Sequence, residues 1–226
     1  MRTRILIVED EADMRRAFHL LLSRTELEVV GEAADGREAL RVAAEVRPDV
    51  VVTDLWMARL NGWDAIRLLR EARPETRAVA VSALDGAFAV YRALEAGAAG
   101  FVSKYSMPTE LAAGLEAVAR GGSFFCSRIG GEPLRQAHAW QQDPASAPKD
   151  PLTLPERLVL QLWVEDYSVG DSAKNLGKSV KTVESHRAHI MRKLGMRDRR
   201  ELWRYAVERH IARPRDLEWE IVMGGW

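Results

Sequence analysis

The sequence predicts an α/β domain with a doubly wound parallel sheet, followed by a small all-α domain of four helices. In the first half, short apolar runs each end in a polar residue, and segments with helical periodicity separate them. This alternation is typical of buried parallel strands joined by helices. From residue 152 onward the signals are helical only. At 226 residues the chain has a comfortable length for two domains.

Residues 1–122 contain five strand–helix pairs in this interpretation, so we expect a (βα)5 order with right-handed crossovers. The predicted strands are Ile5–Val8, a strand near Val29, Val50–Thr53, Val79–Val81 and Phe101–Ser103. The predicted helices begin after Asp10 and at Arg37, Gly62, Gly86 and Pro108. Pro74, Gly97 and Gly121 follow the ends of the last three.

Residues 123–150 lack this alternation of strand and helix signals. Their Gly, Pro, Ala and Ser content, most concentrated in 143–151, predicts a linker, with a short helix near 132–140 compatible with the pattern. Residues 151–211 form the predicted second domain. The remaining residues, 212–226, form a C-terminal extension to which the sequence assigns no role.

The helices of the second domain are predicted from their capping residues. Thr153-x-x-Glu156 and Ser168-x-x-Asp171 fit the capping-box pattern. Ser179 is a third N-cap candidate, and Gly195 ends the helix that follows it. The second and third helices are therefore expected to form a helix-turn-helix.

Charge is distributed unevenly although the net charge is zero. Residues 1–122 carry 16 Lys and Arg against 19 Asp and Glu, whereas residues 151–213 carry 13 against 8. The single cysteine, Cys126, excludes an internal disulfide and fits a reducing compartment. No signal-like start and no membrane-length apolar run are seen, so we expect a cytoplasmic protein without a membrane partner.

Polar side chains at successive strand ends form the candidate site. Glu9 and Asp10 follow the first strand, Asp54 the third, Ser82 the fourth and Lys104 the fifth. Strand ends of a parallel sheet meet at one edge, where ligands bind in open α/β folds. Carboxylates suit Mg²⁺, and a carboxylate is a competent nucleophile for forming an aspartyl phosphate. One acid at a strand end is usually a cap or turn residue, but five suitable positions in order favour a site for a metal and a phosphoryl group.

Residues 3–120 resemble the receiver domain of bacterial two-component response regulators. The resemblance rests on Glu9-Asp10, Asp54-Leu-Trp-Met57 with Gly62, Ser82-Ala83 and Gly100-Phe-Val-Ser-Lys104. It implies a flavodoxin-like (βα)5 receiver fold and phosphorylation of Asp54 by a histidine kinase. It also implies Mg²⁺ held by Glu9, Asp10, Asp54 and the backbone carbonyl of Trp56, phosphoryl contacts from Ser82 and Lys104, and a switch formed by Ser82 and Phe101. The chain departs from the family pattern at Ala58 and Tyr105, where proline is common, and in having a bulky Trp56.

Residues 152–211 resemble the helix-turn-helix domain of the LuxR/NarL/FixJ group, most closely over Ser179–Gly195. The resemblance implies a dimer on double-stranded DNA, with the helix opened by Ser179 in the major groove. By this analogy Glu184, Ser185 and Ala188 face bases. The residues expected at phosphates are Lys181, Thr182, His186, Arg187, Arg192 and Lys193.

Three departures from that pattern keep an alternative open. Ser172 and Lys178 stand where apolar residues are usual, and Asp166 replaces a glycine. The favoured interpretation is a response regulator that controls transcription, without a small-molecule substrate. The alternative is a phosphorylation-gated regulator that binds a protein and has weakened or absent DNA binding. An enzyme with an aspartyl-phosphate intermediate is disfavoured because Trp56 stands where such chemistry would place a second acid. We therefore expect no activity beyond the chain's own phosphotransfer and dephosphorylation.

Overall fold

The computed structural model describes residues 2–213 of the chain, and these divide into two compact units, with the boundary between Pro148 and Lys149. Most of the predicted C-terminal extension, residues 214–226, lies outside the described residues. Among the residues that are described, no helix is both long enough and apolar enough to span a bilayer.

The first unit contains a parallel sheet of six strands in the order β2-β1-β3-β4-β5-β6. The strands are β1 (Thr3–Val8), β2 (Leu27–Ala33), β3 (Val50–Asp54), β4 (Arg77–Ser82), β5 (Gly100–Ser103) and β6 (Phe124–Phe125). The helices are α1 (Ala12–Leu22), α2 (Gly36–Val46), α3 (Gly62–Ala72), α4 (Ala87–Ala96), α5 (Met107–Ala119) and α6 (Glu132–Gln142). The predicted doubly wound α/β fold is confirmed.

The strands are apolar on both faces because helices cover both sides of the sheet. Ile5, Ile7 and Val52 belong to the larger apolar cluster, with α1 and α5. Leu6 and Val51, which alternate with them along the same strands, belong to the cluster formed with α2. This two-residue alternation divides the continuous apolar runs between two cores.

The stretch predicted as a linker, 123–150, contains the short strand β6 as well as α6, which lies where the sequence allowed a short helix. β6 pairs in parallel with β5, and α6 packs against α4 with the Tyr91 and Trp140 rings 5.7 Å apart, edge to face. Cys126, Ile129 and Ala137 are fully buried. These widely spaced apolar residues are enough to bury the segment, although its average composition is that of a linker.

The second unit contains the four predicted helices: α7 (Leu154–Val164), α8 (Val169–Leu176), α9 (Val180–Leu194) and α10 (Arg199–Glu208). The capping box of Thr153 and Glu156 is present. The Ser168 and Ser179 side chains accept from the backbone N–H groups of Asp171 and Thr182. Gly195 ends α9 in the left-handed conformation. The core of the second unit includes Leu160, Val183, Ile190, Leu202 and Ala206.

Ser172 leaves a buried hydroxyl unsatisfied in α8. Its side chain is fully buried, and among the described residues its Oγ has no hydrogen-bond partner. Burying an unpaired hydroxyl costs about 1–3 kcal/mol. We therefore expect Ser172→Ala to raise the free energy of unfolding of the second unit by about 1 kcal/mol, measured by urea denaturation of the full chain. Ser168→Ala, which removes a helix cap instead, should lower it by about 1 kcal/mol. A destabilised Ser172→Ala would contradict the prediction.

Candidate functional site

Three carboxylates meet beyond the ends of β1 and β3. One carboxylate oxygen from each of Glu9, Asp10 and Asp54 lies within 4.8 Å of the other two. Glu9 and Asp54 are buried, and Asp10 is partly exposed. Oxygen donors alone, at this spacing, match the ligand preference of Mg²⁺. The residues present therefore fit the predicted metal.

Lys104 reaches into this cluster from the end of β5. Its Nζ lies 2.8 Å from Glu9 Oε2 and 3.2 Å from Asp54 Oδ2. Its backbone N–H donates to the carbonyl oxygen of Ser82 at 2.8 Å, which ties the β4 and β5 ends together. The buried Ser82 Oγ accepts from the backbone N–H of Leu84 at 3.0 Å. All five strand-end residues predicted from the sequence thus lie at one edge of the sheet.

The electrostatics of the cluster favour added positive charge. Burial and the nearby charge of Asp54 raise the pKa of Glu9 to about 7. Burial also raises the pKa of Asp54, against the lowering influence of Lys104. Burial lowers the pKa of Lys104, but the charges of Asp54 and Glu9 outweigh this and raise it overall. The ammonium group of Lys104 therefore does not fully offset the negative charge of the carboxylates. A divalent cation would relieve the repulsion between them.

Backbone contacts hold the loop after Asp54 close to this residue, the predicted phosphoacceptor. The Leu55 N–H donates to Asp54 Oδ1 at 2.7 Å, and the Gly62 N–H donates to the Leu55 carbonyl at 2.9 Å. A Cβ on Gly62 would lie 2.0 Å from the Asp54 carbonyl oxygen, so only glycine permits this approach. Trp56 lies in this loop partly buried against the main core. Phe101, the predicted switch aromatic, is buried in the same core.

Sequence reasoning missed a set of contacts beside this site. Arg128, in the stretch predicted as a linker, forms an ion pair with Asp85. The Arg128 guanidinium also lies over the Tyr105 ring, 5.0 Å from its centroid. In the sequence, Tyr105 is notable only as a departure from the family pattern. Asp85 and Arg128 carry no local signal because their contact spans 43 positions.

The predicted DNA-contacting residues all lie on α9. Most of them are exposed, namely Lys181, Glu184, Ser185, Ala188, Arg192 and Lys193, whereas Thr182, His186 and Arg187 are partly buried. Thr182 Oγ1 hydrogen-bonds with the N-cap hydroxyl of Ser179 at 2.8 Å. The base-facing positions of the analogy are therefore solvent-accessible.

Two cations predicted to contact phosphates make contacts within the second unit. Arg187 donates to the Tyr167 carbonyl at 3.1 Å and lies over the Trp163 ring, 4.7 Å from its centroid. Lys193 Nζ lies 2.6 Å from Glu156 Oε2. Both contacts join α9 to the α7 region, so these two residues have a structural role whatever they do at DNA.

Two of the departures from the helix-turn-helix pattern are accommodated locally. Lys178 is exposed, so its charge stays in water. Asp166 adopts the left-handed conformation (φ 70°), as the usual glycine would, and pairs with Arg199. Aspartate tolerates this conformation better than most residues.

Comparison with known proteins identifies both units. Residues 5–116 match the family described as "Response regulator receiver domain", and residues 150–206 match "Bacterial regulatory proteins, luxR family". The chain therefore belongs to the LuxR (NarL) family of two-component response regulators, which are regulators rather than classical enzymes.

Relatives with both units cover nearly the whole chain. The oxygen regulatory protein NreC of Staphylococcus epidermidis (strain ATCC 12228) is 33% identical over 214 residues, covering 92% of this chain and 98% of the relative. The transcriptional regulatory protein LiaR of Bacillus subtilis is 29% identical, with 92% and 98% covered.

Solved structures agree with this fold. A LuxR-family response regulator from Aurantimonas is 34% identical over 60% of this chain and 98% of that chain, with a TM-score of 0.57. RcsB from Salmonella enterica serovar Typhimurium, bound to promoter rprA with the phosphomimetic BeF3⁻, is 21% identical over 91% and 98%, with a TM-score of 0.59.

Proposed function

We propose that a histidine kinase phosphorylates Asp54, and that this gates dimerisation and sequence-specific binding to double-stranded DNA. The observation that carries the proposal is the contact of Lys104 with both Asp54 and Glu9 in a buried, acid-rich strand-end site. The exposed face of α9 supports the output half of the proposal.

In the proposed phosphotransfer, an Asp54 carboxylate oxygen attacks the phosphorus of a phosphohistidine. The new O–P bond forms as the P–N bond breaks, leaving an acyl phosphate on Asp54 and an imidazole on the kinase. Lys104 is placed to offset the negative charge that arrives, and the Ser82 hydroxyl to donate to a phosphoryl oxygen. Mg²⁺, held by Glu9, Asp10, Asp54 and the Trp56 carbonyl, would supply further charge neutralisation.

At DNA, the N-terminal half of α9 would enter the major groove. Glu184, Ser185 and Ala188 would face base edges, where Glu184 can accept from a cytosine amino group. Lys181 and Arg192 would contact phosphates, as would Thr182 and His186. Phosphate contacts supply affinity and base contacts supply specificity.

A second candidate is a regulator whose output is a protein partner. Arg187 and Lys193 are engaged inside the second unit, and Glu184 adds an acid to the base-facing surface. Both features reduce the positive charge available to DNA.

The deciding experiment measures binding of the full chain to a pool of host promoter fragments at two salt concentrations. Each binding measurement is made with and without beryllofluoride plus Mg²⁺, which together mimic phosphorylated Asp54. Fragment-selective binding that strengthens with the mimic and weakens with salt would support transcription control. If tryptophan fluorescence reports binding of the mimic but no fragment is retained, the protein-partner alternative is supported.

Trp56 offers a test of the acyl phosphate's lifetime. A bulky, partly buried side chain two residues after Asp54 is placed to limit access of water. We expect Trp56→Ala to hydrolyse phospho-Asp54 several-fold faster, measured by decay of the phosphorylated fraction after removal of a small phosphodonor. Trp203→Ala, which removes a tryptophan from the second unit, serves as control. Equal decay in wild type and Trp56→Ala would rule out shielding.

A further inference from the structure

Three consecutive residues after β6 contact the end of β5, the first turn of α5 and the loop between β4 and α4. Cys126 Sγ accepts from the Ser103 backbone N–H at 3.3 Å. The Ser127 N–H and hydroxyl donate to the Glu110 carboxylate at 2.8 and 2.7 Å. Arg128 pairs with Asp85 and lies over the Tyr105 ring. We call residues 126–128 the clasp.

The clasp contacts the two loops that begin at the predicted phosphoryl-binding residues. Asp85 lies three residues after Ser82, in the β4–α4 loop, and Tyr105 directly follows Lys104. Asp85 is also within 3.5 Å of the Ser103 hydroxyl, so it contacts both the β5 end and Arg128. A displacement of Ser82 toward a phosphoryl group would therefore act on Asp85 and on its contact with Arg128.

On the other side, the clasp continues into α6, which packs against α4. The residues that contact these loops are thus joined through α6 to the start of the second unit at Lys149. Because the Arg128 and Asp85 side chains are 54% and 27% exposed, solvent screens their pair and it is weak enough to open reversibly.

We propose that Arg128 is a positioning residue for the phosphorylation switch. Through Asp85 and Tyr105 it holds the Ser82 and Lys104 loops in their unphosphorylated arrangement, and phosphorylation of Asp54 releases it. This inference rests on the proposed function and extends it by assigning the readout to the clasp.

The test is a double-mutant cycle on the full chain, measuring the affinity for beryllofluoride with Mg²⁺ by ¹⁹F NMR. Arg128→Gln and Asp85→Asn should each bind the mimic about threefold more tightly, since the resting loop position is no longer held. The double variant should bind no more tightly than either single variant, because both remove the same contact. Arg128→Lys, which keeps the charge, should restore at least part of the wild-type affinity.

Arg120→Gln is the matched control, because in the described part of the chain the ion pair of Arg120 is with Glu116 of α5, at 3.6 Å. A second readout is amide hydrogen exchange at residues 124–129, which should speed up in wild type when the mimic binds and be fast in Arg128→Gln without it. If Arg128→Gln changes neither the affinity for the mimic nor the amide exchange, the role of the clasp is overturned and the proposed function is not. Absence of mimic binding by the wild type would overturn the proposed function and this inference with it.

Discussion

Asp54→Asn should abolish acceptance of a phosphoryl group and any gain in DNA affinity on activation. The substitution keeps the side-chain volume but removes the carboxylate oxygen that acts as nucleophile. It also removes one of the two acids in contact with Lys104 Nζ. Incubation with acetyl phosphate followed by intact mass spectrometry measures acceptance, and binding to a retained promoter fragment measures the output.

The matched control is Asp64→Asn, which alters another buried carboxyl close by in the sequence, in the first turn of α3. It should still be phosphorylated. Phosphate incorporation into Asp54→Asn at the wild-type level would show that the acceptor is another residue. Burial raises the pKa of Asp54, so removing its charge should also stabilise the first unit.

Lys193→Ala should destabilise the second unit by about 2 kcal/mol, between the values for breaking exposed and buried ion pairs. The Lys193 side chain is 34% exposed, and the Glu156 side chain that it contacts is 4% exposed. Its loss would leave the Glu156 carboxylate, which also accepts from the Thr153 N–H and hydroxyl, without its cation. Urea denaturation measures the change, and Arg192→Ala, one position earlier and exposed, should alter stability by less than about 0.5 kcal/mol.

The same pair predicts how stability depends on pH. Burial would raise the pKa of Glu156, but the hydrogen bonds from Lys193 and Thr153 prevail and lower it from 4.5 to about 2. A carboxyl group whose pKa is lower in the folded state than in the unfolded state stabilises the fold at pH values above its ordinary pKa. This contribution is lost as the pH falls from about 4.5 toward 2. Glu156→Gln should flatten that dependence of stability on acidic pH.

If Lys193→Ala instead leaves stability unchanged and lowers the salt dependence of DNA binding, Lys193 is a phosphate contact.

The strand ends of the first unit were predictable because each apolar run stops at a polar residue that the sheet brings to one edge. Glu9, Asp54 and Lys104 could therefore be placed together before their contacts were known. The position of residues 123–148 could not be predicted, since Phe124, Ile129 and Ala137 are too widely spaced to produce a periodic signal. Burial of these residues depends on pairing with β5 and on the surface of α4, both distant in sequence.

In the second unit, the caps at Thr153, Ser168 and Ser179 were predictable because they depend on residues only three positions apart. The tasks of Arg187 and Lys193 were not, because a cation on a helix surface looks the same in sequence whether it faces a phosphate or a neighbouring helix. Only the positions of Tyr167 and Glu156 distinguish the two cases.

The short strand β6 also determines where the chain can be divided. It occupies the outer edge of β5, and unpaired edge strands invite pairing with other molecules. A receiver fragment that ends at residue 122 would uncover that edge together with the apolar surface under Ile129 and Ala137. The compact first unit therefore extends to residue 148, well past the last helix of the five strand–helix repeats.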